Sequence, residues 1–289
     1  MVTVMLQKIT PGDPARAIAG QRASEEMLEA IRIKYRLNDG VIVQFTSAFG
    51  RALHGDLGTS TRSKVPVTEL IVARAPKSIV LAGTGLTAAI MVAVPLGLFA
   101  GTRGRRARAV VDRIGLVLVN LPAYWLALVV VLLFTLRLGW FPSGGTGDGL
   151  LDMVHHLALP TLVMVITIAP VLVRSLSAAA DQVMHSDHVV TALAAGVPRS
   201  QVVRRHVIRN AMPPMVTLLG LQAGGILFGL VVVELSFGIN GLGTLLFESV
   251  KNRDFPVVQG LTLILGVCVV AANLVADLVG ATLDPRTNA

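Results

Sequence analysis

An all-α membrane protein of several passes is what this sequence predicts, and three observations predict it. Hydrophobic residues fill 53% of 289 positions and charged residues 15%, too little polar surface to cover a water-exposed globule of that size. Uncharged runs recur at the length a bilayer demands, roughly twenty residues. Arginines gather in short gaps between those runs, as they do in cytoplasmic loops. The net charge of +8 is therefore topological and predicts no nucleic-acid partner. The single cysteine, Cys268, sits in an apolar run, has no internal disulfide partner, and reads as packing or lipid-facing.

Met1–Ile9 is apolar but too short to span, carries Lys8, and lacks the layout of a signal peptide. From Pro11 to Pro76 the composition is polar and mixed. Ser24–Arg36 predicts an amphipathic helix, capped by Ser24, with Glu25 and Glu26 at its positive end and Met27, Leu28, Ile31 and Tyr35 as an apolar stripe. Phe45, Phe49 and Leu53 continue a helical pattern to the turn at His54, and Val67–Ala75 predicts a short helix ended by Pro76. Residues 10–76 are expected to form a helical insertion outside the cytoplasm, and their many charges do not contradict this, because long loops translocate largely regardless of charge.

Five spans are visible after it, in residues 77–289. Ser78–Ala100 is uncharged, with Gly83, Gly85, Pro95 and Gly97 as small or bending residues suited to close packing. Arg103, Arg105, Arg106, Arg108 and Arg113, opposed only by Asp112, mark the next loop as cytoplasmic. Ile114–Leu136 contains Asn120 and Pro122; Asn120 either lines a substrate path or satisfies backbone groups freed by the proline. Gly139–His156 reads as an extracytoplasmic turn with Trp140 as an interfacial anchor. His155 and His156 are adjacent, so they point apart and make no metal pair.

Leu157–Val173 is expected to be short and broken by Pro160 and Pro170, and helix resumes through Leu176–Val183. Met215–Val233 carries Gly220, Gly224, Gly225 and Gly229, which let neighbours approach at backbone distance and suit a subunit interface or a moving gate. Glu234 follows, either a pathway residue or a structural hydrogen-bond acceptor, since a carboxylate at membrane depth is costly unless it faces water or a partner. A turn at Phe237–Gly243 leads towards the last span, Val257–Ala276. This alternation leaves the C-terminus in the cytoplasm.

Between the third and fourth spans, residues 186–212 are written as two short helices with a sharp turn. Ser186 or Asp187 suits an N-cap, and Thr191, Ala192, Ala194 and Ala195 keep the first helix small. Gly196 suits a left-handed end, Val197 and Pro198 prevent continuation, and Ser200 is expected to cap a second helix with Val203, Val207 and Ile208 on one face. The result is an elbow with a smooth tip.

At this elbow the chain resembles a family. Asp187, Thr191, Ala192, Ala194 and Gly196, then Arg209-Asn210-Ala211-Met212 and Pro214, look like the coupling loop of ABC-importer permeases of the dipeptide and oligopeptide group. Pro11-Gly12-Asp13-Pro14, the Gly55-Asp56-Leu57-Gly58 turn, Asn273, Asp277 and Leu283-Asp284-Pro285-Arg286 are similar to other family motifs. Phe237 to Gly243 matches a further turn, with Asn240 where the family has proline. The resemblance implies a type I ABC-importer transmembrane domain, with a full first helix before Pro11. Met1–Ile9 is then a remnant of that helix; either the chain begins further upstream, the expected case, or most of the helix is lost, and its restoration makes six spans.

The resemblance also implies a second homologous permease subunit, two ABC ATPase subunits, and an extracytoplasmic substrate-binding protein, in a bacterial inner membrane. The elbow, through Asp187, Thr191, Ala192, Ala194, Ala195 and Gly196, would dock on the ATPase. No Gly-x-x-x-x-Gly-Lys-Ser/Thr run occurs here, so no cofactor is expected on this chain, and ATP and magnesium are expected on its partners. The spans hold few ionisable groups, which weighs against a gradient-driven carrier. No nucleophile and base arrangement is recognisable, so the expectation is a transport subunit and not an enzyme such as a membrane hydrolase. The expected cargo is short peptides, with nickel chelate or glutathione as alternatives.

Overall fold

The computed structural model describes Ala15 and residues 23–34, 40–147 and 149–283. Among these, the only strand-like pairing is an isolated antiparallel bridge between Thr59 and Pro66. The helices are α1 (Glu25–Lys34), α2 (Val41–Leu53), α3 (Val67–Thr102), α4 (Arg105–Val119), α5 (Ala123–Arg137), α6 (Leu150–Met184), α7 (Asp187–Ala194), α8 (Arg199–Leu221), α9 (Ala223–Ser236), α10 (Leu242–Lys251) and α11 (Phe255–Leu283). Helices α3, α6 and α11 are each long and apolar enough to cross a bilayer, and α4 with α5 and α8 with α9 qualify as bent pairs, giving up to five crossings. Met1–Ile9, the Pro11–Pro14 motif, Tyr35 and the Asp284–Arg286 ending lie outside the described residues.

Four expectations change on contact with the fold. Pro76 does not end a short helix: α3 runs through Pro76 and Pro95 for 36 residues. Pro160 and Pro170 do not break the third span, since α6 is continuous over 35 residues with both inside it. A proline deletes one backbone donor and crowds the preceding turn, and close neighbours in an apolar setting outweigh that local penalty. Conversely, the second and fourth spans, read as single helices, are bent by 93° and 58°. The first of these breaks falls at Asn120-Leu121-Pro122, where the proline sits at the N-cap of α5. In α1, Ser24 does receive the Met27 N–H at 3.3 Å, but Met27 is exposed and Leu28 carries the burial.

The helices fall into two compact units. One comprises the chain up to Pro76 together with Thr244–Gly266. Its centre is Asp254, a buried carboxylate. Ser60 Oγ donates to Asp254 Oδ2 at 2.5 Å, and Thr61 N and Oγ1 donate to Oδ1 at 3.0 and 3.1 Å. A buried charge without such donors would be strongly destabilising. Arg74 pairs with Glu248 at 3.1 Å in the same unit.

The other unit, Lys77–Gly243 with the chain from Val267, is organised on α6. Every fourth residue of α3 is small where it meets α6: Gly85, Ala89, Ala93, Gly97 and Gly101 are all buried. A Cβ on Gly85 would lie 2.5 Å from Met164 Sδ, one on Gly97 2.9 Å from Leu176 Cβ, and one on Gly101 2.6 Å from Ser177 O. Small residues at this spacing let two helices approach at backbone distance, which in a membrane substitutes dispersion contacts for the hydrophobic drive available in water. Gly83, by contrast, meets nothing within 4 Å, so it takes no part in this packing.

Helix α4 runs against the other direction of α6, with Gly115 beside Pro170 and Arg108 beside Asp181. Helix α8 buries Val207, Ala211 and Met215 against Leu172, Leu176 and Ala180. Gly220 is the one glycine of the fourth span that meets a neighbour, Ala276 of α11, at 2.6 Å from its would-be Cβ. Gly224, Gly225 and Gly229 meet nothing of this chain within 4 Å.

Gly101→Val should lower the midpoint of thermal unfolding in detergent by an amount equivalent to about 1–3 kcal/mol, because it overpacks against backbone that has nowhere to move. Gly83→Ala should leave the midpoint unchanged. Equal midpoints for the two variants would count against the ladder.

Candidate functional site

The elbow is a short helix ended by a left-handed residue. Helix α7 is closed at its C-terminus by Gly196 N donating to Leu193 O and Val197 N donating to Ala192 O, both at 3.1 Å. Gly196 between them has φ of +82°. Backbone of that hand suits glycine, and no atom lies within 4 Å of where its Cβ would be, so the requirement is conformational and not one of space.

The caps differ from those expected. Ser186 occupies the N-cap position of α7, but its hydroxyl donates backwards to Val183 O at 2.5 Å and does not cap. Its carbonyl instead accepts from Val189 N and Val190 N, both at 3.0 Å. Ser200 does not cap the second helix either. Pro198 does so with its carbonyl, accepting from Gln201 N at 2.9 Å and Val202 N at 3.0 Å; its ring fixes φ, here −54°, and with ψ at 135° it stands just outside the helix that starts at Arg199. That second helix is also not short: α8 continues to Leu221, with a π-helical stretch at Val203–Val207.

Of the residues assigned to the tip, Asp187, Thr191, Ala194, Ala195 and Gly196 are exposed and Ala192 is half-buried, while Val189 is fully buried and anchors the helix. The surface so displayed is small, nearly uncharged and free of long side chains. Rings of His188 and His206 lie 6.0 Å apart between the two arms.

Two polar ties fix the elbow's surroundings. The Arg199 guanidinium donates to the backbone carbonyl of Thr102, the last residue of α3. Arg108 of α4 pairs with Asp181 of α6 at 2.6 Å, and His185 Nδ1 donates to Asp181 O at 2.8 Å. Arg108 stood out in the sequence only as one of the loop arginines, and Thr102, Asp181, His185 and Arg199 did not. Asp181 offered a signal, as a lone acid near an arginine-rich loop; Arg199 offered none, because its acceptor is a main-chain oxygen.

The two possible pathway residues lie elsewhere. Asn120 is exposed at the break between α4 and α5, and its Nδ2 donates to Leu116 O at 2.6 Å, replacing a helical donor where α4 ends. Glu234, near the end of α9, is fully buried. Ser78 Oγ donates to Glu234 Oε1 at 2.6 Å and accepts the Leu242 N–H at 2.7 Å. A Cβ on Gly241 would lie 2.2 Å from Oε1 of the same carboxylate. The structure therefore brings the elbow residues together and keeps them apart from Glu234, with α8 and α9 in between. Ser78 was missed because 156 positions separate it from Glu234.

Comparison with known proteins gives this arrangement its class. The family profile described as "Binding-protein-dependent transport system inner membrane component" matches residues 93–289, and the chain belongs to that family. It shares its fold with an inward-facing MetNI methionine ABC transporter at a TM-score of 0.55 and 16% identity, over 74% of this chain and 96% of that one. The fold class is thus the type I ABC-transporter transmembrane domain, as the elbow motif implied.

Among relatives, the oligopeptide transport system permease protein AppB of Bacillus subtilis (strain 168) is 34% identical over 99% of this chain and 93% of its own length. The glutathione transport system permease protein GsiC of Salmonella typhi is 36% identical over 96% of this chain and 89% of its own. The part of α3 that precedes residue 93, including its small residues Gly85 and Ala89, lies before the family match and is covered by these relatives.

Gly196→Val should strain the elbow by about 1–2 kcal/mol, since a branched side chain is forced into a left-handed turn. Limited proteolysis near residue 196 should accelerate severalfold with little change in global unfolding, whereas Gly196→Asn should behave almost as wild type. Resistance of the valine variant to the protease would mean the turn is not what holds the elbow.

Proposed function

We propose that this chain is the permease subunit of an ATP-driven importer of short peptides, forming half of the translocation pathway across the bacterial cytoplasmic membrane. The observation that carries this reading is the elbow, whose small exposed tip is set by Gly196, tied to the end of α3 by Arg199 and continuous with α8. Such a tip fits into a groove on another protein and has no chemistry of its own. The peptide cargo is supported by the names of AppB and GsiC, glutathione being itself a short peptide.

In this reading a second, homologous permease chain completes the pathway, and two ATPase subunits supply ATP hydrolysis, with ATP and magnesium bound there. An extracytoplasmic binding protein delivers cargo, in keeping with the family's description. Arg103, Arg105, Arg106, Arg108 and Arg113 support a cytoplasmic elbow side, and in this reading the C-terminus is cytoplasmic and the 10–76 insertion lies outside. Closure of the ATPase pair on ATP binding draws on Asp187, Thr191, Ala192, Ala194, Ala195 and Gly196, and the tilt passes into α6 and α8. Transport then follows as a population shift, which requires the elbow to bind the closed and open ATPase pairs with different affinities. Exposed Asn120, at the bend of a discontinuous span, is the candidate for contact with cargo.

The test is ATP hydrolysis by the complete complex in lipid vesicles, with the binding protein added empty, peptide-loaded, glutathione-loaded or nickel-loaded. Stimulation several times above the empty form is expected with peptide or glutathione. Stimulation by nickel alone would replace the cargo, and a complex that never hydrolyses ATP would remove the coupling role of the elbow.

A further inference from the structure

One buried group has no part in the elbow and is built with unusual care. Glu234 lies two residues before the end of α9 with no solvent contact. Its carboxylate oxygen Oε1 accepts the Ser78 hydroxyl at 2.6 Å, and the same hydroxyl accepts the Leu242 N–H at 2.7 Å. One serine of α3 therefore joins the end of α9 to the start of α10. At the turn between them a Cβ on Gly241 would lie 2.2 Å from Oε1, so the carboxylate and that residue share one space, and a Cβ on Gly243 would lie 2.6 Å from Val231 Cα, on the backbone of α9 itself. The turn is also held from the far side. Phe237 O accepts the Gly145 N–H at 3.0 Å, and a Cβ on Gly144 would collide with that carbonyl at 2.1 Å.

The opposite end of α9 is built in the contrary way. There the backbone bends by 58° at Gln222, and Gly224, Gly225 and Gly229 have no atom within 4 Å of their missing side chains. Ala223, Leu230, Val233 and Glu234 form the buried side, while Phe228 on the other side is 80% exposed. One end of the half-helix is thus glycine-rich and uncovered by this chain, and the other is clamped by a carboxylate, a hydroxyl and two closely packed glycines.

We propose that α9 is a hinged leaf, pivoting at Gln222–Gly225, and that Glu234 with Ser78 is the latch that holds it in the conformation seen here. Glu234 is a positioning residue for transport: it touches no cargo and acts through the Phe237–Gly243 turn. The carboxylate is needed because it only accepts. Ser78 must then spend its proton on Glu234, which leaves its lone pairs for Leu242 N–H. A glutamine of the same size replaces one acceptor oxygen by an N–H donor, so the latch weakens without creating a cavity. Release of the latch lets the leaf swing about its glycine end, and Phe228, which travels on it, changes its surroundings.

The part of this inference that concerns ATP rests on the importer reading above, so the test has two readouts. In a Cys268→Ser background, Phe228→Cys is labelled in vesicles with a small thiol reagent, with and without Glu234→Gln, Ser78→Ala or Ser78→Thr. Labelling should accelerate about threefold or more with Glu234→Gln and Ser78→Ala, and return towards the parent rate with Ser78→Thr, which restores the hydroxyl. In the complete complex, with residue 228 left as phenylalanine, Glu234→Gln should raise ATP hydrolysis in the absence of binding protein by a similar factor. A residue that merely supports the fold would lower hydrolysis and would not be rescued by threonine.

Accelerated labelling with silent ATPases would keep the latch and overturn the importer reading. Unchanged labelling in Glu234→Gln and Ser78→Ala, or loss of assembled protein in both without rescue by Ser78→Thr, would overturn the latch.

Discussion

The closeness of α3 to α6 is the constraint from which the second unit follows. In a bilayer, lipid tails compete on equal terms with apolar side chains, so helices associate only where they interlock better with each other than with lipid. Gly85, Ala89, Ala93, Gly97 and Gly101 supply that advantage by letting Met164, Leu176 and the backbone at Ser177 settle directly on α3. With α3 and α6 fixed side by side, α4 and α8 take the remaining flanks of α6, Gly115 sitting against Pro170 and Met215 among the buried residues around Leu172. The elbow inherits its position from this packing, since it joins α6 to α8 and its Arg199 reaches the end of α3.

Much of this was legible in the sequence, for a physical reason. Membrane spans are selected by one dominant property, so Ser78–Ala100 and Val257–Ala276 announce themselves by composition, and the left-handed Gly196 is announced by the proline and valine around it. What composition does not carry is where a span bends. Pro76, Pro160 and Pro170 read as breaks and are not, because a proline's local cost is weighed against neighbours that lie far away in the chain. The bend at Gln222 has no proline at all. The Ser78 and Glu234 pairing was equally hidden, although the cost of a carboxylate at that depth did mark Glu234 as in need of a partner.

The elbow and the outer turn show two uses of glycine that a sequence does not distinguish. At Gly196 the residue is required for the sign of φ, in open space. At Gly241 the requirement is room, because a neighbouring carboxylate occupies the place of a side chain. At Gly224 and Gly225 neither requirement holds within this chain, and what remains is backbone of low stiffness.

The unbroken length of α6 has a mechanical consequence. Thirty-five helical residues form a rod of about 52 Å, and the 23 of Arg199–Leu221 one of about 35 Å, at 1.5 Å of rise for each residue. Both rods start or end at the same small elbow. A tilt of roughly 10° imposed there carries the far end of the longer rod through about 9 Å, by the same rise per residue. The prolines that might have been joints along the way are splinted instead, so angular displacement is conserved along the rod and appears undiminished at the opposite face.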